Sequence, residues 1–167
     1  FLIPNSNFKK EIQDAISNTK IKLKHIHIYE TIPTKLTKQI EEITMYEIRK
    51  QNLADEIKRL EDSNEQNKER KIKNLKKKDT IGGINFDSVI VSDFEEGLKS
   101  VFTSLLYTDV PPQRVYYITL NQWFDESFLK ETSLQPIYFP SINKKNYENF
   151  IYEYKKIYDE APNQLSF

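Results

Sequence analysis

The sequence predicts an α/β fold, a three-layer sandwich in which helices cover both faces of a mostly parallel sheet. The main observation is the segment 86–124, where an apolar run at residues 89–91 is followed by a helical pattern and a second apolar run at residues 115–118. Strand, helix and strand at this length form a βαβ unit, which implies a parallel sheet. A second observation is size, because 167 residues with 13% aromatic side chains can bury the core of one domain.

The first elements follow from local patterns near the start of the chain. Leu2 and Ile3 predict a short strand, and Asn7 is placed to cap a helix over residues 8–17. The apolar stripe of this helix consists of Phe8, Ile12, Ala15 and Ile16. Residues 21–29 alternate between two faces and become apolar toward their end, which predicts an edge strand.

A long helical hairpin is predicted as an insertion at residues 34–79, because Gly and Pro are absent from Thr34 to Lys78. Apolar residues recur there at helical intervals close to a heptad seam, with Lys50 as a partial break. These residues are Leu36, Ile40, Ile43, Tyr46, Leu53, Ile57 and Leu60. A turn at residues 62–64 then gives arms of about 28 and 14 residues. The second arm is strongly basic through Lys68, Arg70, Lys71, Lys73, Lys76, Lys77 and Lys78.

The last elements complete the predicted sheet. Residues 136–140 begin and end with proline, which favours a short strand at a sheet edge. Ser141 or Asn143 then leads into a helix over residues 146–159. Its buried face is expected to contain Phe150, Ile151, Tyr154, Ile157 and Tyr158. With right-handed crossovers, these elements build a sheet in the flavodoxin-like order 2-1-3-4-5.

Composition argues against several classes of function. The 25 basic and 25 acidic residues balance, so the chain lacks the overall positive field of nucleic-acid-binding proteins. Without cysteine there is no disulfide, thiol nucleophile or zinc-thiolate centre. Three glycines cannot supply a glycine-rich phosphate loop, and no apolar run approaches the ~18 residues of a membrane span. We therefore expect no cofactor, no metal and no enzymatic activity.

Polar residues follow both strands of the βαβ unit, at the edge where ligands collect in parallel sheets. The two loops are residues 92–96 and 121–125. In the first, Asp93, Glu95 and Glu96 can act as a general acid and base or hold the ammonium group of a ligand, although acidic residues at a helix start are also explained by capping and the helix dipole. In the second, a tryptophan beside two amides suits either the floor of a cleft or packing against a neighbouring domain.

Two further features have a functional and a structural interpretation. His25 and His27 share one strand face at a spacing that a metal site can use, but the lack of an acidic partner in register favours packing at the core or edge. The basic second arm either binds an anionic partner, a membrane surface included, or is a solvated helix face.

Most of the chain resembles the type I periplasmic binding protein fold, more narrowly its leucine-binding-like and penicillin-binding protein activator branch. The similar positions are Phe86-Asp87, Tyr107-Thr108-Asp109-Val110-Pro111, Trp123-Phe124-Asp125 and Phe150, Tyr154, Tyr158, Ala161 and Pro162. A charged helical excursion ending like Lys77-Lys78-Asp79-Thr80-Ile81-Gly82 also occurs in some bacterial members.

The resemblance implies that residues 1–167 form one lobe of a two-lobe protein, with the first lobe before residue 1 and a return crossing after residue 167. Such a lobe would be non-enzymatic and would lie outside the cytoplasm or in the periplasm, where the protein can be anchored as a lipoprotein. It would bind a small molecule such as an amino acid, or dock a cell-wall synthesis protein. Its ligand contacts would be Ser92, Asp93, Phe94, Asn121, Gln122 and Trp123. Relatives bind the ligand's amino group with an acidic residue in the second loop, whereas Asn121 or Gln122 stands near that place here.

Three other functions stay open from the sequence. The chain can be an interaction scaffold whose helical hairpin docks a cell-envelope partner, or the solute-binding component of an ABC transporter for amino acids. It can also be a response-regulator-like domain with Asp93 as the phosphoacceptor, although Asn5-Ser6-Asn7 replaces the paired acidic residues expected after the first strand.

Overall fold

The computed structural model describes residues 1–120, 130–140 and 143–162. Within these residues, five parallel strands form one sheet in the order β2-β1-β3-β4-β5. The strands are β1 (Leu2–Pro4), β2 (His27–Tyr29), β3 (Ser88–Val91), β4 (Tyr116–Thr119) and β5 (Ile137–Tyr138). The predicted fold class and the predicted strand order are both confirmed.

Helices flank this sheet, and the main core lies on one of its faces. The helices whose full bounds lie within the described residues are α1 (Lys9–Ser17), α2 (Pro33–Ile43), α3 (Tyr46–Glu61), α4 (Lys68–Leu75), α5 (Glu95–Tyr107) and α6 (Lys144–Tyr158), with a 3-10 turn at Thr132–Leu134. Helices α2 and α5 pack against each other over the sheet. The core between these layers includes Tyr29, Leu36, Ile40, Val91, Phe102 and Tyr117. Right-handed crossovers place α1 on the opposite face.

The N-terminal elements are shorter than the sequence predicts. Strand β2 covers His27–Tyr29 rather than residues 21–29, because its partner β1 offers a ladder of three residues, from Leu2 to Pro4. Helix α1 begins at Lys9, and Phe8 occupies its N-cap position without a capping hydrogen bond. The predicted cap at Asn7 is therefore wrong. Phe8 is 69% exposed, so it does not join the core as expected.

The first arm of the predicted hairpin is two helices rather than one. It breaks at Thr44 and Met45, where Met45 takes a left-handed φ of 52°. The apolar stripe serves two different partners on either side of this break. Leu36 belongs to the domain core, whereas Leu53 and Leu60 are buried in α3, which packs against α4. The hairpin that projects from the sandwich is thus α3 and α4, and α2 is part of the sandwich.

A buried arginine joins the hairpin to the sandwich. Arg49 is 2% exposed, and its Nε donates to the carbonyl oxygen of Thr44 at 2.9 Å. Its guanidinium also donates to the Thr80 hydroxyl at 3.0 Å and to the carbonyl oxygens of Thr108 and Asp109. Burial lowers the pKa of Arg49, and the charge of Asp109 opposes this effect. One side chain therefore links the α2–α3 corner, the loop after α4 and the end of α5.

The C-terminal elements follow the prediction in position but not fully in burial. Strand β5 lies at the sheet edge, as the flanking prolines predicted, and pairs with β4. Helix α6 starts two residues before the predicted boundary, and the Asn143 side chain caps it by accepting from the backbone N–H of Asn146 at 3.2 Å. On its expected inner face, Ile157 and Tyr158 are exposed. That part of the face prediction is wrong.

The division between α2 and the projecting hairpin predicts unequal effects of two deletions. Replacing residues 53–76 by a flexible linker of about four residues should leave a body that unfolds cooperatively, because α4 packs chiefly on α3. Deleting residues 34–78 should abolish cooperative unfolding, since it removes Leu36 and Ile40 from the core. Urea denaturation followed by circular dichroism distinguishes the two. Loss of cooperativity in the shorter deletion would contradict this division.

Candidate functional site

The carboxyl edge of the sheet brings together the ends of β2, β1 and β3. The strand order reverses between β1 and β3, which is the switch point where ligands bind in open α/β sheets. Glu30 follows β2, Asn5 follows β1, and Ser92 and Asp93 follow β3. The candidate site is therefore built from three strands that are adjacent in space but separated in sequence.

Asp93 has a fixed position at this edge. One carboxylate oxygen, Oδ2, accepts a hydrogen bond from the Tyr29 hydroxyl, and the other, Oδ1, accepts one from the backbone N–H of Phe94 at 2.8 Å. Both contacts use donors that the fold already holds rigid, because Tyr29 is buried in the core and Phe94 precedes the first turn of α5. The carboxylate is thereby oriented before any ligand arrives.

Tyr29 reaches Asp93 across the intervening strand β1. Tyr29 is the last residue of β2, is 1% exposed and belongs to the domain core, and its hydroxyl is the group that contacts Asp93. Burial raises the pKa of Tyr29 well above its ordinary value, and the hydrogen bond to Asp93 and the charge of Asp93 raise it further. Tyr29 is consequently a neutral donor at all physiological pH values and does not compete for a proton.

Gly97 makes room for the Asp93 carboxylate. A Cβ atom at this position would lie 2.7 Å from Cγ and 2.8 Å from Oδ1 of Asp93, well inside van der Waals contact. Gly97 lies in the first turn of α5, where the positive end of the helix dipole favours a carboxylate. A glycine that weakens a helix is thus required for the placement of Asp93.

The other predicted residues of the first loop have different environments. Ser92 is 7% exposed, and its hydroxyl donates to the carbonyl oxygen of Leu2 at 3.1 Å. This contact ties β3 to β1 and occupies the hydroxyl. Phe94 is 57% exposed at the edge, where its ring is accessible to a ligand or to another protein surface. Glu95 and Glu96 are exposed in the first turn of α5, as the dipole interpretation predicts.

A second polar group lies where β1 and β2 end. The Asn5 amide donates to the Glu30 carboxylate at 2.9 Å, and the Lys9 ammonium donates to the Asn5 carbonyl oxygen at 2.9 Å. The backbone N–H of Glu30 donates to the side chain of Gln39 at 2.8 Å. Glu30 and Asp93 therefore give this edge two positioned carboxylates near the switch point.

Sequence reasoning placed Asp93 at this edge but missed its supports. Asn121, Gln122 and Trp123, the predicted contacts of the second loop, lie outside the described residues. Tyr29 and Gly97 were not identified, because neither the hydroxyl of a strand residue nor a single helix glycine indicates a ligand site by itself. The strand order could have indicated Tyr29, since the order 2-1-3 leaves only β1 between the end of β2 and Asp93.

The paired histidines lie at the amino-terminal end of the strands, opposite the candidate site. The rings of His25 and His27 are 5.9 Å apart between centroids, and burial lowers the pKa of His27, followed by repulsion from the N-terminal ammonium and His25. Both line a cleft of about 850 Å³ at the amino ends of β1 and β3. In the described part of the chain, no three His, Asp or Glu side chains approach closely enough to hold a metal ion.

Across residues 1–120, 130–140 and 143–162, no helix combines the length and the apolar character needed to cross a membrane. No known family model matches the chain, and neither the curated proteins nor the solved structures contain a match to it.

Proposed function

We propose that this chain is the second lobe of a non-enzymatic, extracytoplasmic binding protein of the type I periplasmic kind, and that Asp93 binds the ammonium group of its ligand. The observation that carries the proposal is the orientation of the Asp93 carboxylate by Tyr29 and the Phe94 backbone N–H at the switch point. The strand order and the resemblance of the sequence to that family support it.

The chemistry of the edge favours a cationic group over an anionic one. Asp93, Glu30, Glu95 and Glu96 lie at the ends of β2 and β3, and Lys9 is bound to Asn5 beside them. A carboxylate that already accepts one hydrogen bond on each oxygen retains a lone pair on each for a further donor. An ammonium group offers three such donors, and charge-assisted hydrogen bonds of this kind are among the strong ones.

Ser92 is left out of the proposed contacts, because its hydroxyl is used within the sheet. Phe94 is kept, since an exposed ring beside a carboxylate suits an amphipathic ligand such as an amino acid with an apolar side chain. Asn121, Gln122 and Trp123 remain predicted contacts from the neighbouring loop. An amino acid or a similar amine is the ligand class that these residues fit together.

The ammonium group can be tested with a matched pair of ligands. L-leucine should raise the melting temperature of the chain, whereas N-acetyl-L-leucine, which lacks the ammonium group, should not. Asp93→Asn should weaken the binding of the free amino acid by at least about 10-fold, the effect of losing one charge-assisted contact. Isothermal titration calorimetry measures both affinities.

The control for this experiment is Asp87→Asn, which removes an exposed carboxylate at the opposite end of β3. This variant should bind as the unmodified chain does. Equal binding of free and acetylated leucine, or undiminished binding by Asp93→Asn, would refute the assignment of the ammonium group to Asp93. A panel of other amino acids and amines extends the same comparison to the ligand class.

A second candidate function is an interaction made by the projecting hairpin, which would dock a cell-envelope partner. The observation in its favour is that Arg49 fixes the hairpin to the sandwich while Arg70 and Lys73 on α4 are exposed. The variant in which a linker replaces residues 53–76 separates the two functions. It should retain the binding of amines and lose the binding of a partner.

A further inference from the structure

Helix α4 has two faces of opposite character. Ile72 and Leu75 are half-buried where α4 packs on α3. At 3.6 residues per turn, Arg70 and Lys73 lie on the other side of the helix, and Lys77 follows in the turn just after the helix ends. These three residues, here called the outer stripe, follow one another at intervals of three and four, and all are exposed.

The hairpin's carboxylates neutralise the edges of α4 but not the outer stripe. Glu65 accepts hydrogen bonds from Lys71 at 2.6 Å and from Arg59 at 2.7 Å, which lower the pKa of Glu65 to about 2. Glu61 lies 3.9 Å from Lys76. Among the ion pairs of the described residues, none includes a member of the outer stripe. No ion pair therefore holds its positive charge, and Glu69, four residues before Lys73, is the one acidic residue on the same helix.

We propose that the outer stripe binds an anionic phospholipid surface. The inference rests on the second candidate function above, an interaction made by the hairpin, and names the partner. The stripe carries long, flexible, exposed cations, whereas the binding energy of protein interfaces is concentrated in aromatic and arginine side chains buried in packed pockets, and single-stranded nucleic acid is held by stacking on aromatic rings. A bilayer with acidic headgroups supplies dense negative charge and makes no demand on shape.

The rigid attachment of the hairpin gives this contact a consequence for the whole domain. Because Arg49 links α3 to the loop after α4 and to the end of α5, a hairpin lying on a membrane would hold the sandwich in a defined orientation. Lys78 extends the positive surface toward that junction and is also exposed. The contact is electrostatic, so it should weaken with salt.

The test is co-sedimentation of the whole chain with vesicles. Binding is expected to phosphatidylcholine vesicles that contain about 30 mol% phosphatidylglycerol, and not to pure phosphatidylcholine. The triple variant Arg70→Gln, Lys73→Gln, Lys77→Gln should reduce the partition coefficient about 100-fold, because each cation near the surface contributes about fivefold. Raising the salt concentration from about 50 to about 300 mM should also weaken the binding of the unmodified chain to acidic vesicles.

A matched variant controls for the loss of net charge. Lys35→Gln, Lys38→Gln, Lys99→Gln removes the same charge from exposed positions on α2 and α5, and it should bind vesicles as the unmodified chain does. Equal losses in both triple variants would overturn the outer stripe as the site. Binding to polyglutamate but not to acidic vesicles would overturn the lipid as partner and would leave the hairpin interaction standing. Circular dichroism of both variants verifies that they are folded.

Discussion

Arg49→Met should lower the free energy of unfolding by about 3 kcal/mol, within the range measured when one member of a buried charged network is removed. Methionine fills a similar volume but cannot donate hydrogen bonds. The carbonyl oxygens of Thr44 and Thr108 would then lose the guanidinium that serves both of them. Each unsatisfied buried acceptor costs about 1 to 3 kcal/mol.

Arg49→Met also removes a buried positive charge, and this offsets part of the loss in the free energy of unfolding. Burial lowers the pKa of Arg49, which shows that the charged form is disfavoured by its surroundings. Asp109 offsets part of the cost of burying the guanidinium, because its negative charge raises the pKa of Arg49. The Asp109 carboxylate also accepts a hydrogen bond from the Thr80 hydroxyl at 2.5 Å. The net loss should therefore fall below the sum of the separate hydrogen bonds.

Urea denaturation gives the free energy of unfolding for this variant, and Lys58→Met is the matched control. Lys58 is exposed on the same helix, so its replacement should change stability by no more than about 0.5 kcal/mol. Hydrogen exchange should show faster opening of the loop after α4 and of the α5 end in Arg49→Met. A loss below about 1 kcal/mol would mean that Arg49 does not hold these segments together.

Gly97→Ala should lower stability by about 1 kcal/mol and abolish the proposed amine binding at Asp93. Alanine is the better helix former by about 1 kcal/mol, so local propensity alone predicts the opposite sign. The new Cβ would however meet the Asp93 carboxylate at 2.7 Å from Cγ, and the carboxylate must leave Tyr29. The lost charge-assisted hydrogen bond is worth about 1.5 to 3 kcal/mol, which outweighs the gain.

A double-mutant cycle with Asp93→Ala isolates this effect. Without the carboxylate there is no clash, so Gly97→Ala in the Asp93→Ala background should stabilise the chain by up to about 1 kcal/mol. The change of sign between the two backgrounds is the diagnostic result. The same destabilisation in both backgrounds would show that Gly97 is required for a reason other than Asp93.

The elements of the sandwich could be predicted because they have a local signature. The apolar runs at 89–91 and 115–118 became β3 and β4 with boundary shifts of one residue, and the prolines around Ile137 and Tyr138 marked the edge strand β5. Right-handed crossovers leave few orders for such a succession of elements. The order 2-1-3-4-5 followed from that constraint.

The break in the helical arm could not be predicted from the same periodicity. A continuous apolar stripe is equally consistent with one helix and with two helices that face different partners. Leu36 packs in the core and Leu60 is buried in the projecting hairpin, a distinction that depends on where α5 and α4 lie. Lys50 was noted as the interruption of the stripe, whereas Arg49, its neighbour, is the residue that is buried.

For this protein, the sequence by itself determined the fold class, the strand order and the location of Asp93 at a strand end, because these depend on periodicity and chain direction. Only the tertiary structure decided what surrounds Asp93 and Arg49. The Tyr29 hydroxyl lies 64 residues from Asp93 in the chain, and the carbonyl oxygen of Thr108 lies 59 residues from Arg49. Contacts of this range form when separate elements pack, and a buried arginine or an oriented carboxylate is stable only once its distant partners are in place.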